Sequence, residues 1–332
     1  MLITIIVTLP VISANDDVDL IVNDNQIINE DNEFDINSND FENDSVQQSC
    51  ENDIDVSYDT SMNMTSDRSI SPTFTYNGYQ IFINNLEKYY GDSTPFGIMI
   101  WDSDNNTVPG IDVDFTINGQ TYHKTTNILG QAVLSINLLS DVYDITTVVR
   151  DFDNITFLNN INVLTTIIGN DLVKYYKNGT QYYAIFYDTF GNFLTNTYVK
   201  FNINGVLYSR MTDDYGVAQL NINLSPGNYI LTAYNPCNNE SHSNTITVLT
   251  TLTASDLTMN FGDGSKFKAY LVDGQGNPYA GQTVTFNING VFYQRTTDSN
   301  GIASLNINLI PGDYIITSSH NGLNISNNIH IN

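Results

Sequence analysis

Basic residues are scarce in this chain. Eleven Lys and Arg stand against 36 Asp and Glu over 332 residues, for a net charge of −25. Phosphate recognition needs a basic surface, so this balance excludes a nucleic-acid binder. It also opposes electrostatic docking on an anionic membrane. Cysteine is nearly missing: Cys50 and Cys237 are too few and too far apart for a disulfide framework, and no CxxC spacing offers a metal site. The four histidines, His123, His242, His320 and His330, are scattered. No GxSxG, HExxH, Walker loop or GxGxxG stands in a usable context. The expectation is therefore no catalytic, cofactor-binding or metal-binding residue, and no enzyme. Charged residues make up only 14% of the chain, well below the roughly 25% of an average domain. The polar surface must come from Asn, Thr, Ser, Tyr and Gln. Hydrophobic residues at 41% and aromatics at 11% still leave material for packed cores.

What charge there is sits unevenly. Residues 15–70 hold sixteen acidic residues and a single basic one, Arg68. Their aromatics are Phe34, Phe41 and Tyr58. Self-repelling charge with little apolar surface cannot offset the entropy of ordering a chain, so this stretch reads as a disordered acidic spacer. Before it stands MLITIIVTLPVISA, residues 1–14, an apolar run ending in small residues. It is too short to span a bilayer and fits the remnant of a secretory signal cleaved after Ala14, although the basic n-region is missing. Eight Asn-X-Ser/Thr triplets begin at Asn43, Asn63, Asn105, Asn154, Asn178, Asn223, Asn239 and Asn324. They agree with export only weakly, because an Asn-rich chain produces them by chance.

The remainder is a repeat. FTINGQTYHKTTNILGQAVLSINL starts at Phe115, FNINGVLYSRMTDDYGVAQLNINL at Phe201 and FNINGVFYQRTTDSNGIASLNINL at Phe286, at spacings of 86 and 85 residues. Flanking positions align too: Leu86, Leu172 and Leu257; Asp102, Asp188 and Asp273; Tyr143, Tyr229 and Tyr314. Ala303, Leu305, Ile307 and Leu309 alternate with polar residues, which marks a strand with one dry and one wet face. Asn-Gly at 118–119, 204–205 and 289–290 joins two such runs, and this dipeptide accepts positive φ at both turn positions of a hairpin. About seven strands in about 85 residues cannot bury both faces of one sheet. Two sheets must pack face to face. The expected fold is all-β: three tandem immunoglobulin-like β-sandwiches over residues 79–166, 167–250 and 251–332, joined by short linkers. The Tyr143, Tyr229 and Tyr314 set reads either as tyrosine corners or as simple core tyrosines.

The pattern FNINGxxYxRxTDxxGxAxLNINLxPGxYxI resembles the Ig-like repeats of adhesin-like surface proteins of methanogenic archaea, akin in fold to the Ig-like repeats of bacterial invasin and intimin. The resemblance covers residues 79–332. It implies an exported, extracellular or cell-surface protein whose repeats act as a structural spacer and adhesion module. It departs from the larger relatives in having three repeats, no C-terminal membrane anchor or sorting motif and no ligand-binding head, as a short secreted paralogue or a piece of a longer protein would.

Three side-chain sets bear on chemistry. Asp102, Asp104, Asp188 and Asp273, with Asp213, Asp214 and Asp298, lie in turns; their reading is turn formation, with calcium chelation as the alternative. Lys88 and Lys174 align, as an isopeptide-forming lysine would, but Met259 takes the third position. Tyr122, Tyr208 and Tyr293 recur at one position, which favours cross-strand packing over a sugar platform. The second functional reading is a secreted carbohydrate-binding accessory module. The expected partner is an extracellular or cell-surface ligand, a glycan among the candidates, with no nucleic acid and no membrane span.

Overall fold

The computed structural model describes residues 74–332 and two short strands before them, Leu20–Asn23 and Gln26–Ile28. The expected signal remnant at 1–14 and all but those two strands of the acidic stretch lie outside the described residues. Every regular element described is a strand. Three cores follow one another along the chain, each enclosed by two sheets. The protein is an array of three Ig-like β-sandwiches.

The second unit shows the plan. One sheet orders Ile167–Gly169, Tyr182–Phe186 and Val217–Leu220. The facing sheet orders Leu172–Tyr175, Ser241–Leu249, Gly227–Tyr234, Tyr198–Ile203 and Val206–Met211. The unit's opening segment thus divides between both sheets, and its second half runs parallel to the last strand, Leu172 opposite Ile246. The same parallel pairing sets Leu86 opposite Ile161 and Leu257 opposite Ile329. An acceptor at the division pins it: Asn85, Asp171 and Asp256 each take a backbone N–H from the last strand, at Asn160, Thr245 and Asn328. On the outer edge of the second unit, Leu20–Asn23 pairs antiparallel with Val206–Met211, Ile21 opposite Tyr208. At that edge, seven residues of the acidic stretch form strand where disorder was expected.

Alternation explains the layers. Tyr198–Ile203 and Thr283–Ile288 bury every second residue. The motif's first Phe is wholly buried in all three units, as Phe115, Phe201 and Phe286. Each meets a ring from the opposite sheet edge-on: Phe96 at 5.8 Å, Tyr182 at 5.7 Å and Phe267 at 5.8 Å. Edge-to-face pairs place a positive rim on a negative face and add to simple area burial. The Asn-Gly turns carry the expected positive φ, for example 54° at Asn204 and 76° at Gly205. Tyrosine corners are present in every unit. Tyr143, Tyr229 and Tyr314 donate their hydroxyls to the carbonyls of Leu139, Ser225 and Ile310, four residues upstream, at 2.9, 2.7 and 2.8 Å.

One core position differs among the units, with a consequence for stability. Tyr182 replaces Phe96 and Phe267, and its hydroxyl donates to Asn244 Oδ1 at 2.7 Å. Burial pushes its pKa up to about 12. The aligned amides, Asn159 and Asn327, keep a buried Oδ1 with no hydrogen-bond partner. Gly169 leaves the room this hydroxyl needs, since a Cβ there would stand 2.2 Å from it, and Ile83 and Ala254 close the aligned space in the other units. Phe96→Tyr and Phe267→Tyr should therefore destabilise their units by about 1–3 kcal/mol, and Tyr182→Phe should cost about 1 kcal/mol. Urea unfolding of the three variants checks the signs.

Candidate functional site

The turn acids, histidines, lysines and tyrosines that the sequence offers as candidates do not converge. Asp102 accepts the backbone N–H groups of Asp104 and Asn106, Asp188 those of Phe190 and Asn192, and Asp273 those of Gln275 and Asn277, all at 2.8–2.9 Å. Asp213 and Asp298 close the other turn in the same way, on Tyr215 and Val217 and on Asn300 and Ile302. These carboxylates are spent on their own backbone. Among the described residues no group of three or more His, Cys, Asp or Glu could hold a metal ion. His123 sits 2.6 Å from Asp114, and His330 sits 2.5 Å from Asp313. The hydrogen bond to Asp313, and then its charge, raise the His330 pKa. His320 lies 2.8 Å from the Thr283 carbonyl.

The two buried lysines serve the backbone. Lys88 donates to the carbonyls of Thr94 and Ile136, and Lys174 to those of Thr180 and Ile222. Desolvation lowers both pKa values. Tyr122, Tyr208 and Tyr293 each lie directly opposite the core Phe of the neighbouring strand. Arg210 and Arg295 cover Tyr208 and Tyr293 at 5.8 and 5.9 Å. Both sets are scaffold.

What the structure brings together lies at the joints between units. Tyr89 of the first unit faces Gly191 in a turn of the second; a Cβ on that glycine would stand 2.2 Å from the ring. Tyr175 of the second unit meets Gly276 of the third in the same way, at 2.7 Å. Both glycines have φ of 84°. The aligned positions outside the two joints are Asn105 and Asn260. Each joint has further bonds. Asn238 donates to the Tyr90 carbonyl at 2.8 Å, and Asn178 to the Gly274 carbonyl at 2.5 Å. Tyr176 packs on the cores of both the second and third units.

The first joint carries a buried carboxylate besides. Glu240 is 8% exposed. It accepts the backbone N–H and the hydroxyl of Thr166, at 2.6 and 2.5 Å, and the hydroxyl of Ser140 from the first unit. Asn235 and Asn238 both donate to the Thr166 hydroxyl oxygen at 2.9 Å. Beside this network opens a cleft of about 550 Å³, lined by Tyr90, Leu139, Val142, Asn162, Glu240 and His242 among others. Cys237, in the same loop, is disulfide-bonded. Beyond the joint, aromatic rings run outward from Tyr89 to Tyr187, Phe193 and Tyr215. Of these groups the sequence names Cys237 and His242 alone, and neither for a role at a joint. The usable signal was departure from the repeat at aligned positions, since recurrence marks scaffold.

Two measurements test these assignments. Gly191→Ala and Gly276→Ala should each drive a methyl into a ring and weaken their joint by about 1–3 kcal/mol. Glu240→Ala should cost about 2–3 kcal/mol by leaving Thr166 and Ser140 donors without an acceptor. Calorimetry should then show the first and second units melting apart in Gly191→Ala and Glu240→Ala, and the second and third in Gly276→Ala. The turn acids predict an acid transition. Hydrogen bonds from their own turns hold Asp102, Asp263 and Asp273 below the usual 3.8, and bonds from Asn328 do so for Asp256. Their contribution is complete above pH 3.8 and falls away as pH drops through the lowered values. Denaturant midpoints should hold from neutrality to about pH 5 and decline below 3.8, less steeply in Asp256→Asn.

No protein-family model matches this chain, and no curated protein matches it. Solved structures do. A part of a 1.5-MDa bacterial ice-binding adhesin, solved for host cell surface retention, is 18% identical over 79% of this chain and 98% of that one, with a TM-score of 0.23. Titin domains I67–I69 are 14% identical over 76% and 97%, with a TM-score of 0.22. A Bacteroides ovatus protein of a mixed-linkage glucan utilization locus, solved with a heptasaccharide, is 12% identical over 80% and 69%, with a TM-score of 0.22. Identities and scores this low say nothing of what the chain does; the Ig-like assignment stands on its strand pairing.

Proposed function

We propose that this protein is exported to the cell surface or beyond it, where its three Ig-like units form a stiff spacer that carries adhesive contacts. The observation that supports this best is the pair of joints. Each seats a tyrosine of one unit against a glycine of the next and adds hydrogen bonds, so bending at the linkers is resisted. A rod is useful where a contact must be held away from its base. The repeat pattern, which resembles adhesin-like surface proteins of methanogenic archaea, agrees with that use. The disulfide at Cys237 agrees with an oxidising compartment. A non-catalytic role is part of the proposal, because the titratable groups in view are committed to turns, ion pairs and backbone carbonyls. No helix among the described residues is long and apolar enough to cross a membrane.

A second reading, a carbohydrate-binding accessory module, is favoured by the exposed rings of the second unit. The test has two arms. Cell fractionation should recover the protein in the extracellular or surface fraction; recovery in the cytoplasm would overturn the exported reading. Beads coated with the chain should bind whole cells above uncoated beads, and saturably. Equal retention of both beads would remove the adhesive role.

A further inference from the structure

In a repeat protein, a residue shared by all copies is first explained by the fold. A binding site stands out where one copy departs from the others on its surface. The second unit departs in this way at four aligned positions. Tyr187, Phe190, Phe193 and Tyr215 stand where the first unit has Trp101, Asp104, Thr107 and Leu129, and the third has Val272, Gln275, Pro278 and Asn300. Three of the four rings are open to solvent: Phe190 is 67% exposed, Phe193 47% and Tyr215 69%.

Three of these rings form a connected series with Tyr89, and Phe190 stands exposed in the turn between Tyr187 and Phe193. Tyr89 lies 6.0 Å from Tyr187, Tyr187 lies 5.4 Å from Phe193, and Phe193 lies 6.4 Å from Tyr215. The joint does not require them. The third unit makes the same tyrosine-on-glycine contact with the second while carrying Pro278, Gln275 and Asn300 in these places. Exposed aromatic surface of this kind lowers solubility without helping the fold, so it marks a contact surface.

The surroundings select the ligand. Residues 187–196 and 212–216 contain no Lys or Arg, so nothing there attracts an anion. Asp188 and Asp213 are engaged with their own turns. Next to the rings in the chain stand Thr189, Asn192, Thr195 and Asn196, which exchange hydrogen bonds with hydroxyls, and the exposed carboxylate of Asp214, which accepts from a hydroxyl and repels an anion. Apolar rings flanked by hydrogen-bonding groups match a pyranose, which has C–H faces and a hydroxyl rim.

We infer that the exposed rings Phe190, Phe193 and Tyr215, with Phe193 backed by Tyr187, form a binding platform on the second unit for a neutral polysaccharide. The inference rests on the adhesive and glycan-binding reading above and gives it a location.

The test is affinity electrophoresis of the full chain in gels containing a soluble β-glucan, a mannan, a xylan, or the anionic polymers alginate and polygalacturonate. The chain should be retarded by at least one neutral polymer and by neither anionic one. Phe190→Ala/Phe193→Ala/Tyr215→Ala should weaken the retardation about tenfold or more while leaving the unfolding midpoint unchanged, because the rings are exposed. Phe261→Ala/Phe292→Ala, which removes two exposed rings of the third unit, should bind like the parent chain. Retardation by anionic polymers alone, retardation indifferent to the triple substitution, or none by any neutral polymer would overturn the platform. Binding of the triple variant to whole cells at parental strength would also overturn it, and would leave the adhesive reading standing. If the platform exists instead for a protein partner, protease-stripped cells should lose binding while the neutral polymers cause no retardation, which likewise overturns the inference.

Discussion

Each sandwich turns on a single cross-sheet contact, the edge of one aromatic ring against the face of another. Phe115, Phe201 and Phe286 receive Phe96, Tyr182 and Phe267 at nearly equal distance. The contact sets the spacing of the sheets, and the aliphatic residues around it fill the layer so defined. Both rings are fixed by alternation within their strands, so a one-residue slip of register would expose them. The turns enforce that register: Asn-Gly closes one hairpin, and Asp213 or Asp298 closes another by taking two backbone N–H groups. Turn chemistry and core packing therefore serve one constraint. Where the ring changes to Tyr182, a new polar demand appears, and Asn244 meets it.

The joints extend this logic beyond a single unit. A short linker limits how far two sandwiches can separate, yet it does not fix how they face. Tyr89 on Gly191 and Tyr175 on Gly276 do that, since a flat ring against a bare backbone leaves little room for rotation. The two joints are not equal. The first adds a buried carboxylate, Glu240, with donors from both units; the second relies on Tyr176 and on the bond from Asn178 to Gly274. Breaking a buried, hydrogen-bonded charge is costly, so bending should concentrate at the second joint.

Much of this was legible in the sequence because it repeats. The motif spacing, the period-two alternation and the Asn-Gly turns determine the strands and hence two packed sheets. The tyrosine corners could be suspected from Tyr143, Tyr229 and Tyr314 but not separated from plain core tyrosines, since the deciding bond goes to a carbonyl four residues back. The turn acids were readable as turn formers for the reason the structure bears out, their short reach to nearby backbone. Other features escaped because they depend on contacts between units. Gly191 stands in a turn, and nothing local says that Tyr89 lies against it. Nothing in the local sequence sets Glu240 apart from the other acids of an acidic chain. Its burial arises only when Thr166 and Ser140 are brought over it.

The glycine and tyrosine of the joints bear on how such arrays can grow. The second unit carries both halves of the contact, Gly191 on one end and Tyr175 on the other. The first unit has the ring but Asn105 in place of the glycine, and the third has the glycine but Asn260 in place of the ring. A duplicated second unit would therefore join to its own copy through the contact it already makes, whereas duplicates of the outer units would not. Recombination within such a chain would lengthen it by copying its middle, and each copy would bring its own exposed rings.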